Sequence, residues 1–213
     1  MSWSKAGKFF LNAFFAGLFI GVAGTVYLSV KNPVAGAVLF SFGLLGILAF
    51  NFKLYTGAVG YLAVQGRNVP HYLLELLLIW LGNLAGCFLV GTAMRHTRCF
   101  AGIAEKVSAV SAAKLADSPQ SILVLAFFCG VLMFTGVDLF RRENLPQVVR
   151  TVMVFLCVTV FILCGFEHCI ANMYYFSAAA VWSVDTLLTV LLMTLGNSLG
   201  GMLLPACEKI RRL

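Results

Sequence analysis

Two apolar stretches of this chain are each too long and too interrupted to be one straight helix, and they constrain its fold more than any other feature. Residues 34–64 are mostly apolar but interrupted by NFKLYTG at 51–57, and residues 147–181 are mostly apolar but interrupted by a break at 164–167 within FILCGFEHCIANMYY (161–175). A helix crossing the ~30 Å hydrocarbon core of a bilayer needs about 20 residues, so an unbroken helix over either stretch would overshoot. Irregular backbone at membrane depth survives only where protein or a wet cavity satisfies its polar groups. Two such breaks in one chain predict a site where they meet.

The remaining apolar runs fit the same medium. Of 213 residues, 61% are hydrophobic and 11% charged, against roughly 25% charged in an ordinary soluble domain. The chain reads as an all-α membrane protein, a single multi-pass transmembrane domain over 1–213 embedded in a lipid bilayer. Six spans are expected, at about 9–30, 34–64 (broken at 51–57), 71–94, 121–139, 147–181 (broken at 164–167) and 186–206. The lysines before the first run resemble a signal peptide, but the run continues without a small-residue cleavage site and counts as the first span.

The seven cysteines are odd in number, form no CxxC pair and lie mostly in apolar segments. Such thiols act as small buried hydrophobes, so neither a disulfide framework nor a metal site is expected, and no cofactor. The net charge of +7 bears on orientation and does not imply a nucleic-acid partner.

The spans repeat in kind: ordinary, broken, then one bearing Leu81-Gly82-Asn83 with Gly86; ordinary, broken, then one bearing Leu195-Gly196-Asn197 with Gly200-Gly201. Small residues at that spacing let helix backbones approach closely. Three spans per half make the halves opposite in topology, an inverted 3+3 repeat with its site at the midplane. Lys5, Lys8, Arg67, Arg141, Arg142, Arg150, Lys209, Arg211 and Arg212 fall on one side, nine in all, against five (Lys31, Arg95, Arg98, Lys106 and Lys114) on the other. Both termini are therefore expected in the cytoplasm, and the polar loop 95–120 outside.

His168 is the one histidine away from a span end. Imidazole titrates near neutral pH, which makes it a proton partner for a weak acid; the competing reading is a histidine that only hydrogen-bonds the broken helix. Glu167, set about 100° round a helix from His168, reads as a clamp on amides freed beside Gly165. Thr56 offers one donor and one acceptor at the matching break, or simply satisfies a broken-helix carbonyl. Lys53 either lies in the filter or snorkels to a vestibule, and the vestibule is preferred. Phe40, Leu44, Leu54, Tyr55 and Phe161 are candidates for apolar constrictions that raise the cost of passing a bare charge, although ordinary packing explains any one of them. Asn83 and Asn197 are expected to bond across helices, and Asn172 to support the second break. No phosphate loop, nucleophile elbow or HExxH is present, so an enzyme has little support.

At these residues the chain resembles the formate/nitrite transporter family. The match runs through Phe40-Ser41-Phe42-Gly43-Leu44, Leu54-Tyr55-Thr56-Gly57, Gly82-Asn83 with Gly86, Gly165-Phe166-Glu167-His168-Cys169-Ile170-Ala171-Asn172-Met173, and Gly196-Asn197 with Gly200-Gly201. The resemblance implies an aquaporin-like protomer of a homopentamer, with a pore in each protomer. His168 matches the central pore histidine, Thr56 the threonine of the loop that breaks helix two, Leu54 and Tyr55 that loop's constriction, and Phe40, Leu44 and Phe161 the remaining constriction positions. Lys114 lies near the family's extracellular-side lysine, a vestibule charge. The implied substrate is a small monovalent anion or its acid, formate first and nitrite or hydrosulfide next, in the cell (inner) membrane, passive or proton-coupled through the histidine. Three departures stand out: the fourth helix lacks an asparagine near the histidine, Lys53 replaces a common acidic residue, and both termini are short. A membrane redox subunit is the more distant alternative, and it would need a second in-span histidine ligand that the sequence lacks.

Overall fold

A computed structural model describes residues 3–211, with backbone alone at residues 3–5 and 67. Arg212 and the side chains of Lys5 and Arg67, which entered the charge count, lie outside the described residues. The chain folds as α1 (Trp3–Ser29), α2 (Pro33–Ala49), α3 (Tyr55–Ala58), α4 (Val69–Met94), α5 (Ala104–Leu115), α6 (Pro119–Arg141), α7 (Gln147–Leu163), α8 (Cys169–Ala179) and α9 (Val184–Arg211), with no strand among the described residues. Residues 6–29 of α1, with α4, α6 and α9, are long and apolar enough to cross a membrane. The helices α2 and α7 are shorter, 17 residues each, or ~25 Å at about 1.5 Å per residue.

Local chemistry sets these boundaries. Asn32 caps α2 by accepting from the Ala35 amide at 3.0 Å, with Pro33 supplying a first-turn position that needs no N–H. At the other end Asn51 takes a left-handed φ of 53° and stops the helix. The stop after α7 is Gly165, at φ 67°, a conformation glycine adopts without steric cost. Each break thus turns on one left-handed residue.

The two halves repeat their contacts. Asn83 accepts from the Tyr55 amide at 2.9 Å and donates to the carbonyls of Ala13 (2.8 Å) and Lys53 (2.9 Å). Asn197 accepts from the Cys169 amide at 2.9 Å and donates to those of Ala126 (2.7 Å) and Glu167 (2.8 Å). Each asparagine therefore ties a long helix and a broken loop to the helix that carries it. Gly86 and Gly200 allow this approach, because a Cβ there would strike the carbonyl oxygens of Phe14 and Phe127.

Gly82 meets Phe10, Gly86 meets Phe14, and Gly21 meets Val90, so α1 and α4 run parallel. The end of α9 bonds to the segment ahead of α4 and to the α6–α7 connection: Lys209 donates to the Ala63 carbonyl at 3.3 Å, and Arg142 to Glu208 at 2.6 Å. The start of α1, the α6–α7 connection and the end of α9 accordingly share one end, here the near end; α5 lies at the far end. Between them α8 is buried from Cys169 to Ala178. Outer faces carry exposed apolar side chains such as Phe42, Leu77, Leu156 and Leu188, a surface suited to an apolar environment.

Four details differ from the sequence reading. The first break occupies 50–54, so Thr56 and Gly57 sit in the opening turn of α3, which passes into 3-10 turns over Val59–Val64 and Gly66–Asn68. The second half of that span is a tightened piece of helix, where hydrogen bonding i to i+3 replaces the α pattern. Glu167 and His168 lie in the extended segment before α8, so a helical angle between them has no meaning. The region 95–120, read as a loop, contains α5, which packs against α8. The last span extends to Arg211, past Pro205.

Candidate functional site

Both breaks deliver a helix start to the middle of the bundle. His168 is the N-cap of α8, its Nδ1 accepting the Ala171 amide at 3.0 Å. An amide can only donate, so Nδ1 accepts and the proton of the neutral imidazole is on Nε2. That nitrogen lies 2.9 Å from Thr56 Oγ1, in the first turn of α3. The break in one half thus supplies an imidazole N–H, and the break in the other a hydroxyl oxygen that accepts a hydrogen bond from it. Both are buried, His168 at 2% and Thr56 at 0% exposure.

An apolar layer surrounds the pair. The Phe161 ring lies 5.6 Å from His168, centroid to centroid, and 5.9 Å from Phe40 in an edge-to-face contact. Leu44 is one helical turn beyond Phe40, and its Cδ2 would lie 3.9 Å from a Cβ built on Gly136 of α6. Leu54, the N-cap of α3, is buried in the same core. The Tyr55 hydroxyl is 3.0 Å from Ser198 Oγ, a bond that braces α3 against α9.

A cavity of about 340 Å³ opens from this layer toward the far end, its walls including Tyr27, Lys114, Phe161, Glu167, His168 and Tyr175. Glu167 Oε2 accepts from Lys114 Nζ at 2.7 Å and Asn172 Nδ2 at 2.6 Å. Its carboxylate thus takes a lysine and an amide side chain in place of the freed backbone amides anticipated for it. The missed signal is the face of AEKVSAVSAAKL, helix-forming residues with Val107 and Ser111 buried and Lys114 in the last turn. Lys106 pins this helix by donating to the carbonyls of Tyr27 (2.9 Å) and Val30 (3.2 Å) at the end of α1. Partial burial lowers the Lys106 ammonium below its ordinary pKa.

Toward the near end a second cavity, about 240 Å³, is lined by Ile47, Asn51, Phe52, Phe140, Arg141 and Arg150, among others. The Lys53 ammonium sits 5.9 Å from the centre of the Phe9 ring, near the start of α1. Arg141 and Arg150 are the cations that line this cavity, and the sequence reading used them only for orientation. Among the described residues no group of three or more His, Cys, Asp and Glu is placed to hold a metal ion.

The model of the formate/nitrite transporter family matches residues 2–209. The formate channel FocB of Escherichia coli K12 is 27% identical over 186 residues, 78% of this chain, and the match spans only 64% of that protein's length. The nitrite transporter NirC of the same organism is 25% identical over 215 residues, 91% of this chain and 79% of its own. These relatives are a channel and a transporter, not enzymes. Two solved structures share the fold: a pentameric formate channel with formate bound (TM-score 0.85, 22% identity, covering 100% of this chain and 99% of that one) and an ion channel of the same family (TM-score 0.84, 20% identity, covering 97% and 90%).

Proposed function

The chain belongs to the formate/nitrite transporter family, and we propose that it forms a homopentameric channel or proton-coupled transporter for a small monovalent anion or its conjugate acid. Formate is the first candidate substrate; nitrite and hydrosulfide fit the same passage, which selects by size and charge. Each protomer carries its own path, from the far-end cavity through Phe161, Phe40, His168 and Thr56, past Leu44 and Leu54, to the near-end cavity. The protein lies in the cell (inner) membrane with the near end, and so both termini, in the cytoplasm. The relatives named above support this reading as a formate channel and a nitrite transporter.

The observation that carries it is the Thr56–His168 bond at 2.9 Å inside a buried apolar layer with a cavity on either side. A bare anion entering that layer loses its hydration, which costs several kcal/mol or more unless a donor or a proton compensates. The Thr56 hydroxyl, with Nε2–H bonded behind it, is the donor at that level. Taking a second proton would place one on Nδ1, facing the Ala171 N–H, so proton coupling requires the first turn of α8 to release its cap. A passive filter and a proton relay therefore differ in whether that cap opens.

The test is a flux panel in proteoliposomes with formate, acetate, nitrite, lactate and hydrosulfide at two pH values. Formate, nitrite or hydrosulfide should pass faster than acetate and lactate. Equal rates for all five, or none above empty liposomes, would reject the proposal.

A further inference from the structure

We infer that the near-end cavity is a docking site for a small monovalent oxyanion, held by Arg150 and Arg141 before it enters the apolar layer. The inference rests on the reading of the chain as an anion pathway and adds a site distinct from the histidine.

Position comes first. Leu44 and Gly136 face each other across the layer. One turn further along the same two helices, Ile47 and Phe140 form walls of this cavity. The cavity is therefore the antechamber next to Leu44, at the level where an anion from the near end would lose its first waters. Its volume, about 240 Å³, holds a small oxyanion with several waters, each occupying roughly 30 Å³ in the liquid.

Donor chemistry comes second. Arg150 donates from Nη1 to the Phe140 carbonyl at 3.3 Å and from Nη2 to Gln147 Oε1 at 2.6 Å. Its Nε is buried without a partner. That atom is closed to the cavity's contents, and the donors left for an acceptor are the second N–H of Nη1 and of Nη2. A guanidinium fixed by two bonds offers that acceptor a rigid planar donor set, matched to carboxylate-like oxyanions. Arg141 is the second cation, its guanidinium 5.7 Å from the centre of the Tyr61 ring.

Charge balance separates the two cavities. Two arginines and one carboxylate, Glu143, line the near one. In the far one Lys114 is paired with Glu167, and Asp117 also lines the wall. The near cavity carries the net positive charge, so capture of the ionised anion falls to this end.

The experiment measures formate uptake in vesicles of known sidedness, with the anion presented to one end at a time. Arg150→Gln should raise the half-saturating concentration about tenfold from the near end and less than about twofold from the far end. Arg141→Gln, at an exposed position, should act in the same direction if Arg150→Gln does not fold. A similar rise from both ends, or none from the near end in a transporting variant, overturns the site. Independently of transport, millimolar formate or nitrite should protect Arg150 or Arg141 of the wild-type protein from phenylglyoxal, read by mass spectrometry, where gluconate of equal ionic strength does not. Protection without flux would sustain the docking site while rejecting the proposed function. Flux without protection would do the reverse.

Discussion

Thr56 Oγ1 and His168 Nε2 lie 2.9 Å apart although 112 residues separate them in sequence. The bond exists because two unlike breaks start two helices at one point, and its polarity is set at the other ring nitrogen. With Nδ1 occupied by the Ala171 amide, the ring presents a proton to Thr56, whose own hydroxyl hydrogen stays available to a passing acceptor.

Substituting His168 separates its two duties. Asparagine is a good N-cap and can keep the bond to Ala171, whereas alanine loses that cap at about 1 kcal/mol. Neither retains an imidazole that can take up and release a proton. We expect His168→Asn to reach near-wild-type abundance while formate uptake between pH 5 and pH 8 loses its wild-type pH profile. An unchanged profile in the folded variant would remove His168 from any proton step.

Thr56→Val keeps the shape of the side chain and removes the acceptor for Nε2–H. A buried donor left unmade costs about 1–3 kcal/mol, so flux is expected to fall on the order of tenfold or more. Thr56→Ser retains the oxygen and should stay within a few-fold of wild type. The comparison is a rate ratio in proteoliposomes at matched protein content, and equal rates for valine and serine would show that the hydroxyl is idle.

The sequence made some of this arrangement legible and concealed the rest for physical reasons. Polar residues inside apolar runs are costly, which is why His168, Glu167 and Thr56 stood out, and Asn83 and Asn197 stood out by their repeated setting. Side-chain direction was not legible. Tyr55 and Thr56 are neighbours in LYTG, yet one hydroxyl goes to Ser198 and the other to His168. The Lys114–Glu167 pair was hidden because it joins a polar segment read as a loop to a residue read as a backbone clamp. Its donor comes from α5, whose alanine-rich sequence has little apolar contrast for a periodicity to register. Arg150 was hidden by its place in a charge count, since counting sides says nothing about which cation faces a cavity.

The two asparagines should be worth the same. Each serves three backbone groups across three segments, and deleting it strands all three in the interior, at about 1–3 kcal/mol for each group left unpaired. Asn83→Ala and Asn197→Ala should each lower the thermal aggregation midpoint by a large and similar amount in detergent. Asn172→Ala removes one bond to an already paired carboxylate and a weaker one to the Met193 sulfur and should lower it less. A mild effect from either of the first two would mean that the broken loops are held by something other than these side chains.

The Lys114–Glu167 pair closes one wall of the far cavity, with side-chain exposures of 15% and 4%. Removing one partner of a buried pair leaves an uncompensated charge, about 3–5 kcal/mol, whereas removing both is often nearly neutral. The partial exposure of Lys114 puts this pair at the low end of that range. Lys114→Met alone is therefore expected to destabilise the protein more than Lys114→Met with Glu167→Gln, a reversal of simple additivity that thermal midpoints in a double-mutant cycle would record. If the double variant is instead the sum of the singles, the two side chains act independently, and the 2.7 Å contact does not hold α5 over the cavity. In the expected case, flux through the stable double variant then asks whether the far end needs charge at all, or only the lid that the charge holds in place.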